Sequence, residues 1–487
     1  MAEEMQLKEL EEIRKMGIEP YPYSFNRTHF INEVIEKHSQ VKPGEKIEDA
    51  KISIAGRIKS KRQHGKLSFA HIEDSTGSIQ TFIAADNISE EHYKLFSKLN
   101  IGDMIGVEGG IIKTVKGELS ILVKKIILLA KAIRTLPSQW YGLKDVEIRY
   151  RQRYVDLIMN PEVRKTFIVR TRIIDAIREF LNKKGFLEVE TPVLQQIYGG
   201  AAAKPFKTFM NDTKKDVFLR TADELYLKRL IIGGYDAVYE ICKDFRNESI
   251  DLKHNPEFTM LEFYKTYIDY TGVMDLFEEM IKVVAEKILG TTEIEYQGNK
   301  IDLSKWERLT MVNSIKKYMG EDVSEMNAKE LTKIAKKYKV EVSDEMTRGE
   351  MINALFESIS KKIINPTIIM DYPKETVPLC KPKRGNPEFI ERFEPYVCGF
   401  EIGNAYSELN DPIVQRKLLE EQVKIRKKVD EPWTEALDED FIRAMEYGMP
   451  PMGGMGVGID RLVMLLTNSI SIRDVIFFPF MKPEKNQ

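Results

Sequence analysis

Cysteine is scarce in this 487-residue chain: Cys242, Cys380 and Cys398 stand far apart, and no CxxC pair occurs. That excludes a disulfide framework and a cysteine-ligated zinc site, and the usage fits a reducing cytoplasm. No run of about 18 apolar residues is present, so neither a membrane-spanning helix nor a membrane partner is expected. The opening residues, MAEEMQLKELEEIRKMG, are acidic and lack the apolar core of a secretion signal. No sign of charge dominates, since 74 Lys and Arg nearly balance 76 Asp and Glu. Any nucleic-acid contact must therefore come from a local patch. Two common nucleotide motifs are missing as well: there is no GxxxxGK[ST] loop, and no GxGxxG joins a strand to a helix. The expectation is a soluble, cytoplasmic, enzyme-sized chain of two or three domains.

Residues 1–50 read as an N-terminal segment that opens with a short helix over 1–16. Over 51–134 the pattern turns to short β-rich runs: ISIAGRI, KLSFAHIE, SIQTFIA, MIGVEGGIIKT and LSILVKKIILLA. Turn signals at Gly65, Thr76-Gly77 and Lys116-Gly117 punctuate them. SEEHYKLFSKLNIG, between the third and fourth runs, predicts a helix. Five strands with a helix after the third is the order of an OB-type barrel, although strand count alone fits any small β-domain. The segment holds 14 Lys/Arg against 8 Asp/Glu. Phe69 and Phe82, on neighbouring strands beside Gln80, would suit stacking of single-stranded bases. The ordinary alternative is that both rings are core residues.

Residues 135–160, with Pro137, Trp140 and Gly142, read as a linker. The remainder, 161–487, reads as α+β. Amphipathic helices over 162–184 and 272–289 bracket strand-like runs, which predicts a mostly antiparallel sheet flanked by helices. Residues 291–365 are rich in Lys and Glu and read as a helical insertion. The sheet resumes over 366–410 and ends in 449–480, after a helix at 413–429.

Three segments carry chemistry. FRNE (245–248) and HNPEF (254–258) read as strand-like runs of a hairpin, with Arg246 and Glu248 on one face. Arg246 can hold a phosphate by paired hydrogen bonds, Glu248 an amino group or a magnesium ion, and Phe258 can stack on a base. A structural ion pair beside a packed ring is the plain alternative. GMGVGIDR (454–461) reads as strand, turn and helix, with glycines allowing close backbone approach and Arg461 in the first helical turn. ERFEPYVCGFEIGNAYSELND (391–411) places Glu394 and Glu401 about a turn, as hard ligands suited to magnesium. It also alternates Asn404, Tyr406 and Glu408 along one strand face. A solvent-facing edge strand would show the same alternation.

FLEVETPVL (186–194), FRNE with HNPEF, and GMGVGIDR resemble the three signature motifs of the class II aminoacyl-tRNA synthetases. The likeness is closest to the class II lysyl-tRNA synthetases and covers nearly the whole chain. It implies an N-terminal OB-fold anticodon-binding domain ahead of a catalytic domain, a homodimer, and ATP and L-lysine as substrates with Mg2+. Arg246 would hold the α-phosphate and the amino-acid carboxylate, and Arg461 the γ-phosphate. Phe258 would stack on adenine, with Glu248, His254, Asn255 and Glu401 in the ATP site. Glu394 and Glu401 would bind the metal. Glu224, Glu262, Tyr264, Asn404, Tyr406 and Glu408 would form the lysine pocket with Arg246, with Glu408 and Tyr264 at the side-chain ammonium. Phe69, Gln80 and Glu118 would contact the anticodon of lysine tRNA. Cys242, Val377, Cys380 and Lys204 depart from the residues usual in that family. A non-catalytic tRNA-binding paralogue and an aspartyl or asparaginyl enzyme of the same subclass remain the alternatives.

Overall fold

A computed structural model describes residues 2–137, 143–201, 203–428 and 437–484. Trp140 and Gly142 of the expected linker, and residue 429 at the end of an expected helix, lie outside the described residues. The chain divides into two compact units, Met1–Gly142 and Leu143–Gln487. Among the described residues, no helix is long and apolar enough to cross a membrane.

The first unit is built on five strands, β1 (Lys46–His64), β2 (Leu67–Glu73), β3 (Ser78–Ala84), β4 (Met104–Lys113) and β5 (Leu119–Ala130). They close into a barrel in the order β1-β2-β3-β5-β4, with the helix Glu90–Ser97 between β3 and β4. This is the expected OB-type arrangement. Register shifts in β1, between Ile47 and Ile52 and between Ile58 and Ser60, bend the long strand so that it pairs with both β2 and β4. Alternation decides the faces: Ala70, Ile72, Ile79 and Ile83 point into a core shared with Ile54, Val107, Ile121 and Val123. The N-terminal helix, Ala2–Lys15, adds Ile13 to that core.

In the second unit, eight further strands form the main path of a sheet. They are β6 (Leu187–Glu188), β7 (Ala237–Phe245), β8 (Glu257–Thr266), β9 (Glu307–Thr310), β10 (Thr367–Pro373), β11 (Phe389–Val397), β12 (Gly403–Ser407) and β13 (Met452–Gly458). Their order is β9-β10-β11-β12-β13-β8-β7-β6. Pairing is antiparallel except at the two ends, where β9 runs parallel to β10 and β6 to β7. The helices Pro161–Lys183 and Tyr270–Leu289 cover one face. Ile173, Ile177 and Leu181 from the first, and Val273, Phe277 and Val284 from the second, pack on Tyr239, Leu261, Phe263, Ala405 and Val457. Because strand side chains alternate, the intervening residues of these strands must point to the opposite face.

Residues 291–365 contain the helices Met311–Met319, Ala328–Tyr338 and Arg348–Ser360, which form a core of their own with Ile369, Tyr372 and Ile390. The segment is not helical throughout, however. It opens with a hairpin, Glu293–Tyr296 paired to Asn299–Asp302, and contributes β9 to the main sheet. Four-residue strands among Lys and Glu are too short for a period of two to stand out.

Candidate active site and nucleic-acid face

The sheet face left open by the two helices floors a cleft of about 460 Å³. Two rows of directly opposed residues cross it. Glu240, Glu262, Gly456 and Asn404 form one, and Val238, Tyr264, Gly454, Tyr406 and Arg392 the other. The glycines work differently from the sequence expectation. A Cβ at Gly454 would lie 2.2 Å from the Tyr264 ring, and one at Gly456 2.3 Å from Glu262 Oε1. Their absent side chains make room for neighbouring side chains to lie across the floor. At Gly458 nothing comes closer than 3.6 Å.

One end of the cleft is basic. Arg246 lies just beyond β7, and its backbone N–H donates to Pro256 O at 2.8 Å across the mouth of the hairpin loop. Strand pairing stops at Phe245 and Glu257, so Arg246 and Glu248 do not share a strand face. Glu248 is exposed and accepts only a long 3.4 Å contact from Lys204 N. The Arg246 guanidinium sits 5.0 Å over the Phe258 ring, and its buried Nε has no hydrogen-bond partner. Arg461 occupies the first turn of the helix Ile459–Leu466, as expected. It donates to Glu401 O at 2.8 Å and lies 3.3 Å from His254 Nε2, while His254 Nδ1 lies 2.8 Å from Asp251. Lys253, which no sequence motif singled out, adds a third cation. Burial and then Arg461 lower its pKa. Asn255 is buried with both ends of its amide engaged, donating to Glu257 O at 2.6 Å and accepting from Phe480 N at 3.1 Å.

Two carboxylates border that end. Glu394 accepts from the hydroxyls of Tyr372 and Tyr396, each at 2.8 Å, and from Arg392. Glu401 faces Tyr396 rather than Glu394, because the two-residue turn at Cys398 and Gly399, both with positive φ, sets the register. Burial, and then Glu394, raise the Glu401 pKa. A carboxylate held up in this way is short of positive charge, and the hard oxygens of the pair fit a magnesium ion. Glu401 is the freer of the two, since each Glu394 oxygen already holds a donor. Arg392, donating to Asn404 Oδ1 at 2.9 Å, is a further cleft residue that sequence reasoning missed.

The other end is acidic, lined by Glu224 and Glu262. Asp223, Glu224, Glu240, Asp244, Glu262 and Glu408 are all buried there, against the buried cations Arg220 and Lys228. Arg220 donates to Glu240 at 2.8 Å and lies 3.4 Å from Asp244. Lys228, one helical turn after Glu224, sits 2.5 Å from both Glu224 Oε1 and Glu408 Oε2. Burial works against its charge, but Glu224 and Glu408 hold the ammonium pKa above the usual value. Burial pushes the Glu408 carboxyl up to about 8 against the pull of Lys228, and lifts Asp244 to about 6. Burial, then Asp223 and Glu224, raise Glu262 well above the carboxylate range. Tyr264 donates to Glu262 Oε2 at 3.2 Å.

Glu408 does not line the cleft itself. It is fully buried beneath Tyr264 and Gly454, and its Oε1 accepts no hydrogen bond. Asn404 donates to the Tyr406 hydroxyl at 2.5 Å, so these two form part of the floor. Of the unusual residues, Val377 lines the cleft and Cys380 pairs with Glu408 beside it. Cys242 lies within 4.8 Å of Asp223 and Glu240 in a group that could ligate a metal, but Arg220 already supplies the cation there.

On the barrel, Phe69 and Phe82 are not core residues. They are half-buried on the outer face, directly opposed, with ring centroids 5.4 Å apart. Gln80 lies two residues from Phe82 on the same face and donates to Glu118 Oε2 at 2.7 Å. The three residues expected to contact an anticodon thus share one surface.

Two family models match the chain. One, described as tRNA synthetases class II (D, K and N), matches residues 145–482, and one described as OB-fold nucleic acid binding domain matches residues 52–129. The lysine--tRNA ligase of Carboxydothermus hydrogenoformans is 52% identical over 482 residues, covering 98% of this chain and 97% of the relative. That of Moorella thermoacetica is 50% identical over 484 residues, covering 99% and 98%. The Clostridium acetobutylicum enzyme of the same name is 49% identical over 487 residues, covering 99% and 93%. With its two arginines beside a mostly antiparallel sheet and an OB barrel ahead of them in sequence, the chain belongs to the class II tRNA synthetases of the D, K and N group.

Proposed function

We propose that this protein ligates L-lysine to its tRNA, with ATP consumed through a lysyl-adenylate. The observation that carries lysine is the acidic end of the cleft, where Glu224 and Glu262 line the wall and Asp223, Glu240, Asp244 and Glu408 are buried behind them against Arg220 and Lys228. Carboxylates crowded this way are relieved by a ligand with two ammonium groups, whereas aspartate would add a further negative charge to the pocket. Glu224 and Glu262 receive the α-ammonium. Tyr264, with Glu408 beneath it, receives the side-chain ammonium, and Asn404 and Tyr406 floor the pocket.

The basic end takes the nucleotide. Arg246 belongs to that end, and its unpartnered Nε–H is available to the lysine carboxylate or the α-phosphate. Arg461, with His254 and Lys253, holds the distal phosphates, and Phe258 stacks on adenine once Arg246 turns to the phosphate. Glu248, on the rim, reaches the adenine amino group, and Asn255 acts by anchoring the loop. Magnesium, held by Glu401 and Glu394, would offset phosphate charge. The lysine carboxylate attacks the α-phosphorus, forming a P–O bond as the bond to the β-phosphate oxygen breaks and pyrophosphate leaves. The terminal hydroxyl of tRNA then attacks the lysyl carbonyl and AMP departs. No general base is needed in the first step, so catalysis is positioning and charge stabilisation. On the barrel, Phe69, Gln80 and Glu118 bind the anticodon.

A homodimer in the cytoplasm completes this reading. It is supported by exposed apolar residues: Leu187 on β6, Val193 and Leu194 shortly after it, and Phe209 and Met210, which with Leu194 belong to a separate short sheet. Pyrophosphate exchange with lysine, aspartate and asparagine in turn, followed by charging of total tRNA, tests the assignment. Exchange with lysine alone is expected, and exchange with aspartate but not lysine would overturn it.

A further inference from the structure

His71 lies in the middle of the nucleic-acid face of the barrel, and no sequence motif marked it. Ser60, His71, Gln80 and Ser120 are directly opposed across β1, β2, β3 and β5, so their side chains form one row. The next row on the same face holds Phe69 and Phe82. Hydrogen bonds join the first row through Glu118 of the β4–β5 turn. Ser60 Oγ lies 3.0 Å from His71 Nδ1, and His71 Nε2 lies 2.7 Å from Glu118 Oε1. Glu118 Oε2 accepts from Gln80 Nε2 at 2.7 Å, and Gln80 Oε1 accepts from Ser120 Oγ at 2.9 Å.

The direction of this chain is fixed by chemistry. An ionised carboxylate can only accept, so Nε2 of His71 donates to Glu118 and Nδ1 is left to Ser60 Oγ. The same rule points the Gln80 amide nitrogen at Glu118 and its oxygen at Ser120. Glu118 itself is exposed on a hairpin turn. Without His71 it would keep a single partner and recover rotamer freedom that a bound base must then remove.

We infer that His71 is a positioning residue for base recognition, holding Glu118, and through it Gln80, in the one orientation that reads the anticodon. The inference rests on the anticodon-binding reading of the barrel. With the ring in place, the remaining lone pairs of exposed Glu118 and the second N–H of Gln80, which is largely buried, form a fixed acceptor–donor pair. A base edge offering an N–H beside a carbonyl oxygen matches that pair, and one offering the reverse does not.

The test compares charging of tRNA(Lys) with charging of the same tRNA carrying cytidine at each anticodon position in turn. Wild type, His71→Ala, His71→Gln and Ser60→Ala are measured. His71→Ala is expected to raise the KM for tRNA(Lys) about fivefold with kcat held, and to shrink the preference for the cognate anticodon about as much. His71→Gln, which keeps a donor of similar reach, should recover most of both, and Ser60→Ala should fall between. Equal discrimination by wild type and all three variants would overturn the role of His71. If wild type itself ignored the anticodon substitutions, the anticodon reading beneath the inference would fail instead. A fall in kcat shared by every variant would mark His71 as a folding residue only, and would also overturn the proposal.

Discussion

Glu408 is the residue on which, in the proposed reading, amino-acid choice turns. Its carboxyl is pushed up to about 8, by burial first and by Glu224, while Lys228 pulls the other way. An ammonium bound on Tyr264, above this buried carboxyl, favours its ionised form. The sign follows from linkage: a ligand preferring the ionised carboxyl releases a proton on binding, and its affinity rises as pH rises from about 6 towards 8. Calorimetric titration with lysine, in buffers of unequal ionisation enthalpy at pH 7, should report net proton release. Glu408→Gln should reduce that release and raise the lysine KM by about tenfold, as expected for loss of a nearby buried charge acting through Tyr264, with the KM for ATP little changed. Equal losses for lysine and ATP would instead mean that Glu408 only holds the sheet together. The segment NAYSELND points to a carboxylate at this position. The partner of that carboxylate could not be read from it, because Lys228 lies 180 positions earlier and its visible helical pairing is with Glu224.

At the scale of the element, β13 is a strand whose glycines serve its neighbours. Gly454 and Gly456 sit opposite Tyr264 and Glu262 on β8 and opposite Tyr406 and Asn404 on β12. Adding a methyl at 454 would meet the Tyr264 ring and Glu408 Oε1, at 2.2 and 2.6 Å. Gly454→Ala should therefore destabilise the second unit by about 1–3 kcal/mol in urea unfolding, as overpacking does, and raise the lysine KM. Gly458→Ala should change stability by less than about 1 kcal/mol, since its surroundings are open. Similar costs at both positions would refute this account. The run GMGVGIDR announced a strand and a helix with Arg461 in its first turn, because glycine spacing and an apolar helix face are local signals, although the expected turn between them is absent and the strand runs straight into the helix. Which atoms the glycines clear space for is set by β8, some 190 residues away, and no local pattern carries it. The same limit applies to Glu401, whose register depends on positive φ at Cys398, a residue type that gives no hint of it. The barrel was easier to read, because β2 alternates cleanly and glycines mark the turns after β1, β2 and β4.

For the whole molecule, the two units differ in what supports them. The barrel has a closed sheet and its own apolar core, to which the N-terminal helix contributes Ile13. Lys131, with no side-chain exposure, lies 3.0 Å from Asp103 and 3.3 Å from Glu9, tying that helix to the end of β5 within the same unit. A unit of this size with a continuous core is long enough to fold alone. The second unit likewise holds every residue assigned to lysine and ATP. A fragment spanning 1–142 should therefore unfold in a single cooperative transition and bind a lysine anticodon stem-loop, more weakly as salt rises, because its contacts with phosphate displace counterions. The fragment 143–487 should keep lysine-dependent pyrophosphate exchange within about threefold of the full chain, since adenylate formation needs no anticodon contact. Charging should suffer instead, through a KM for tRNA at least about tenfold higher, because covalent linkage of the two binding units raises effective concentration at the second site. Loss of exchange in the fragment together with loss of charging would mean that the barrel supports the cleft itself, and the division of labour between the units would have to be abandoned.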